Sequence, residues 1–144
     1  NMRPFAILLT LSAATAASAH EGVKNPAVME RMHGMKEIAA HLKVIGDMAK
    51  DERAFQAETA RSAAAGIATH AAAAPALFEA PEDDPKSEAK PAIWESFDKF
   101  TALSLEMEAI ALDLSETIAT PDDLGTALQR LGQNCKACHT DYRE

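Results

Sequence analysis

Residues 124–142, LGTALQRLGQNCKACHTDY, place Leu124, Leu128, Leu131, Cys135, Cys138 and Tyr142 at alternating steps of four and three. That spacing gathers all six on one stripe of a helix instead of alternating them across a strand. The pattern recurs upstream. From Asn25-Pro26, a capping residue followed by proline at the first helical position, apolar residues return at Val28, Met32, Met35, Ala39, Leu42, Ile45 and Ala49. A second helix is expected over roughly Asp51 to Ala74, with Phe55 and Ile67 among alanines, stopping before Pro75. A third starts near Pro91 and carries Ile93, Phe97, Phe100, Ser104, Met107, Ala111, Leu114 and Ile118. Thr120-Pro121-Asp122-Asp123 ends it and opens the fourth, with carboxylates at the positive end of the helix dipole. Pro75 to Pro91 is the one long connection, and its acidic Pro81–Pro85 run reads as a solvated loop.

Four helices of about 20–25 residues, each about 30–37 Å long, make an all-α, antiparallel four-helix bundle. Many stripe positions hold only alanine, so the bundle has room for a guest. The composition agrees. The 144 residues are one domain's worth, and three valines against abundant alanine exclude an all-β fold. A net charge of −8 excludes a nucleic-acid binder, which needs a basic face, and favours basic partners.

The first residues read as an export signal. Met2-Arg3-Pro4 is a positive start, Phe5–Leu11 a short apolar core, and Ala17-Ser18-Ala19 a cleavage site before His20. Asn1, ahead of Met2, reads as an expression remnant. Residues 1–19 are therefore expected to be removed, leaving 20–144 as a periplasmic bundle with no membrane span.

Cys135-Lys136-Ala137-Cys138-His139 is the C-x-x-C-H signal for covalent attachment of c-type haem. Two thiols one helical turn apart can add to the two vinyl groups along one porphyrin edge, and the adjacent imidazole can then reach the iron. A redox dithiol would want a βαβ setting, which the pattern does not offer. A zinc site needs four ligands, and His20, His33, His41 and His70 show no paired ligand spacing.

With that motif at its C-terminal end, the chain resembles the class II c-type cytochromes, the cytochrome c′ family. Arg31-Met32-His33-Gly34-Met35-Lys36 resembles the family's first-helix pattern of an arginine, three residues, then the residue on the distal side of the haem, then lysine. Ala89-Lys90-Pro91-Ala92-Ile93-Trp94 resembles the entry to its third helix, and His139 followed by Arg143 its C-terminal ending. Phe78-Glu79-Ala80 departs from the family's usual F-P loop.

Distal ligation decides the function. In an antiparallel bundle Met35 lies about 13 Å from the end of the bundle where His139 lies about 7 Å in, so the two are level within the span of a haem. Met32 is level too. The resemblance selects Met35 as the distal ligand, with His139 proximal and one haem c held by Cys135 and Cys138. It also implies that Arg31 meets a haem propionate, that Arg143 lies on the proximal side, and that the chain can form a homodimer through its first two helices.

Gly34, inside a helix at a cost of about 1 kcal/mol relative to alanine, suggests a close approach to the backbone beside Met35. His33 and His41 read as surface residues, and Tyr142 and Phe97 as packing. No isolated carboxylate pair suggests acid–base catalysis, so no bond-making chemistry is expected. The first expectation is a monohaem electron carrier serving a redox partner with a basic face. The alternative is a five-coordinate, high-spin haem protein that binds NO or CO at an open distal position.

Overall fold

The computed structural model describes residues 22–144; the expected export signal, residues 1–19, lies outside them. The chain forms α1 (Pro26–Ala49), α2 (Ala57–Leu77), a short α3 (Ala92–Glu95), α4 (Phe97–Thr117) and α5 (Asp123–Tyr142). Neighbours pack in a ring, α1 on α2, α2 on α4, α4 on α5 and α5 back on α1, and no Cα atoms approach within 8 Å across either diagonal. This is the up-and-down four-helix bundle that the stripes predict. No helix among the described residues is long and apolar enough to cross a membrane.

Each helix end has a local cause. Asn25 caps α1 through Oδ1, which accepts from the Ala27 and Val28 amides at 2.9 and 3.2 Å. Asp51, expected to open the second helix, instead closes the first. Its φ of +59° lets the Asp51 and Glu52 amides turn back to the Met48 and Asp47 carbonyls at 3.2 and 2.9 Å. These two bonds satisfy carbonyls that α1 leaves without partners, so α2 starts only at Ala57.

Helix α2 also runs through Pro75 instead of stopping there. Proline cannot donate to the carbonyl four residues back, here Ala71. The Ser104 hydroxyl of α4 donates to that carbonyl at 2.7 Å and fills the gap. Ser104→Ala would leave a buried acceptor empty and should cost about 1–3 kcal/mol. Chemical unfolding of haem-loaded protein measures it, and Ser104→Thr should recover most of the loss.

The third predicted helix breaks at Ser96, whose φ of −137° and ψ of 51° leave helical values between α3 and α4. The Ser96 hydroxyl bonds the Ala92 carbonyl at 3.1 Å and the Tyr142 hydroxyl at 2.8 Å, which ties the kink to the end of α5.

The core has two parts. Ile38, Ile45, Ile67, Leu114, Leu124 and Leu131, with small alanines, fill the longer one. An aromatic cluster of Phe78, Phe100 and Tyr142 with Ile93 fills the other; Tyr142 stands edge-on to Phe100, 87° between planes and 5.5 Å between centroids. On α1 the buried face is Val28, Arg31, Ile38, Ile45 and Met48. The expected stripe is thus rotated, and its Met32-Met35-Ala39 part borders a cavity instead of the core.

The acidic connection is not wholly solvated. Asp84 is only 8% exposed. Its Oδ2 accepts from the Lys24 and Asn25 amides at 2.9 and 3.0 Å, and its Oδ1 from the Lys86 amide at 2.9 Å. Those backbone donors, Lys86 first, hold its carboxyl below the usual range. A depressed folded-state value stabilises the fold above the unfolded carboxyl pKa of about 3.9, and the contribution disappears as pH falls through the folded value. Asp84→Ala should therefore lower Tm at neutral pH, and the gap to wild type should close on acidification below about pH 4.

Candidate functional site

A cavity of about 320 Å³ opens between the first half of α1, the connection 78–91 and the C-terminal turn of α5. Met32 and Met35 reach it from α1, and His139 and Arg143 from α5 and its cap. Phe78 and Ile93 form apolar wall. Thioether and imidazole, separated by more than a hundred residues of sequence, thus face one space, as the antiparallel register predicts. Met32 and Met35 both border it; Met32 is half-buried, while Met35 is 37% exposed.

His139 sits on the rim. The surrounding protein lowers its pKa, Arg143 adds to the effect and Glu88 opposes it, so the neutral, metal-binding form of the ring is favoured. Arg143 is not a frayed end. Its guanidinium pairs with Glu88 Oε2, from Nη2 at 2.6 Å and Nε at 2.8 Å. Backbone bonds from Lys90 to Tyr142 at 2.9 Å and from Glu144 to Glu88 at 2.8 Å pin this tail to the connection.

Arg31 borders the cavity but is 3% exposed, and its guanidinium donates to backbone carbonyls of the connection and the end of α2. Nε donates to the Leu77 carbonyl at 2.9 Å, Nη1 to Glu82 at 2.7 Å, and Nη2 to Ala80. The guanidinium carbon lies 4.9 Å from the Phe78 ring centroid and 5.4 Å from that of Trp94. Trp94 in turn donates its indole N–H to the Phe78 carbonyl at 2.7 Å. A loop-organising role was absent from the sequence reading, because a cation on an apolar stripe has no periodic signature. The close approach suggested by Gly34 is not seen: a Cβ there would meet Leu77 Cδ1 at an ordinary 3.7 Å.

Cys135 and Cys138 lie half-buried on α5, with Cys138 against the aromatic cluster. Burial raises both pKa values, that of Cys138 to about 11 with help from Cys135 and Asp141. A redox dithiol needs the opposite shift. Among the described residues, no group of potential metal donors includes either thiol, so a zinc site is not assembled around them. The donors fit a haem instead: two thiols for its edge, His139 for its iron, and for its face an apolar cavity that His139 borders, although neither thiol lines it. Asn134, next in line, is buried and donates to the Leu103 carbonyl at 3.2 Å.

An up-and-down bundle with C-x-x-C-H on its last helix and a cavity facing the histidine defines a c-type haem cytochrome. Residues 26–143 match the sequence profile of Cytochrome C′. The chain is 36% identical to cytochrome c-554 of Cereibacter sphaeroides and 33% identical to cytochrome c′ of Rhodospirillum rubrum, in each case over 99% of both chains. Cytochrome c′ from Rhodopseudomonas palustris superimposes with a TM-score of 0.78 at 30% identity, covering 84% of this chain and 98% of that one. The chain belongs to the cytochrome c′ family, and with it carries a single covalent haem c.

Proposed function

We propose that this protein is a periplasmic electron carrier that performs no bond-making chemistry, with His139 as proximal and Met35 as distal iron ligand. One observation supports this above the others: Met35 and His139 border the same cavity from α1 and α5. Haem bound there supplies a one-electron ferric–ferrous couple, and Met/His ligation raises its potential.

The chain's own groups have distinct tasks in this reading. Cys135 and Cys138 tether the porphyrin edge. His139 offers a neutral ring nitrogen, and Arg143, neutralised in part by Glu88, keeps a cation near the proximal side without leaving it unpaired. Each Arg31 terminal nitrogen retains one N–H beyond its carbonyl bond, and these are the donors with which Arg31 would reach a propionate. The net charge of −8 suits a redox partner with a basic face, and the paired α1 and α2 offer a surface for a second copy.

The second reading is a five-coordinate haem that takes NO or CO; it holds if Met35, which lies outside both core clusters, does not bind the iron. The optical spectrum of oxidised, haem-loaded protein separates the two. A low-spin spectrum is expected; a high-spin spectrum in the wild type rejects methionine ligation and selects the gas-binding reading.

A further inference from the structure

Away from the haem cavity, one cluster of metal-ligating groups has no part in the function described above. Glu37 and His41 lie one turn apart on α1, and His70 faces them from α2. One donor atom from each falls within 4.8 Å of the other two. All three side chains are half-buried, and the two imidazoles stand 6.1 Å apart between centroids, tilted by 32°. The histidines show no ligand spacing in sequence because they are 29 residues apart and on different helices.

A second observation bears on the same spot. Gly66 is the sole glycine of α2 and interrupts an alanine run. A Cβ at Gly66 would collide with the His41 ring. Glycine inside a helix costs about 1 kcal/mol relative to alanine, and this one creates the space in which His41 lies against α2. Of the helix-interior glycines on α1, α2 and α5, it is the one whose missing side chain a neighbour occupies this closely.

We propose that Glu37, His41 and His70 form a second metal site, a two-histidine, one-carboxylate clamp across α1 and α2 for a divalent transition ion. Two imidazoles and a carboxylate suit borderline ions such as Zn²⁺, which accepts N and O donors in tetrahedral geometry. Water completes the coordination, because half-burial leaves a face open. Calcium and magnesium, which favour oxygen ligands throughout, are not the ions this set selects. The clamp joins two helices far apart in sequence, so the bound ion stabilises the folded bundle by mass action.

Zn²⁺ titrated into haem-loaded protein, in competition with a chromophoric chelator, tests the assignment. One equivalent should bind with a rise in Tm and no change in the haem spectrum. His41→Ala and His70→Ala should each weaken binding by at least about tenfold and remove the Tm rise. His33→Ala, on α1 but outside the cluster, should leave affinity within about threefold, a small fraction of the effect of losing a ligand. No binding at 100-fold molar excess overturns the proposal, as does equal affinity in wild type and His70→Ala. Because the readouts are metal affinity and Tm, a high-spin haem would not affect the outcome.

Discussion

Arg31→Ala is expected to lower the stability of the haem-loaded protein by about 3 kcal/mol or more. The substitution removes three charge-assisted hydrogen bonds to the carbonyls of Leu77, Ala80 and Glu82. It also removes the planar cation that lies against Phe78 and Trp94. Hydrogen bonds to charged groups contribute about 1.5–3 kcal/mol each and are not additive, which places the total at the upper end of single-residue effects. Arg31→Lys should recover only part of it, because an ammonium cannot serve three carbonyls in the plane of a guanidinium fork. Urea unfolding monitored by far-UV circular dichroism measures both. A loss below about 1 kcal/mol would mean that Asp84 and the C-terminal tail hold the connection without Arg31.

Met35→Ala is the second large effect, and it falls on the haem instead of the fold. The oxidised spectrum should change from low-spin to high-spin, and the reduction potential should drop by a substantial part of the roughly 0.8 V range that axial ligands command. Met35 lies outside both core clusters, so the effect comes from loss of the iron bond and not from loss of core packing. Met32→Ala is the control for register. Met32 borders the same cavity one turn nearer the start of α1, so a spin change there with none in Met35→Ala would move the distal ligand by one turn.

Helix existence was legible wherever apolar residues recur with a period near 3.6. The stripes on α1, α4 and α5 predict those helices, though not the break at Ser96 or the rotated face of α1, and Asn25-Pro26 marks the first residue of α1. The alanine-rich α2 was the least legible. Alanine fits either face, so its start rested on Asp51 and its end on Pro75. Both residues turned out to have other roles, one closing α1 and one accommodated by Ser104. The haem motif was legible because its chemistry needs donors adjacent in sequence. The distal side was legible only through the register of two antiparallel helices, which brings Met32 and Met35 to the cavity without choosing between them.

By itself, then, the order of residues determined four amphipathic helices, their up-and-down connection and a haem tether on the last of them. These features follow from interactions among residues within a few positions of one another, and such interactions leave a periodic trace. Tertiary structure alone decided that Arg31 organises a loop some fifty residues away, that Ser104 completes α2 at Pro75, and that His41 meets His70. Each is a contact between polar groups remote in the chain. Its energy depends on where the helices pack, and no local spacing encodes that.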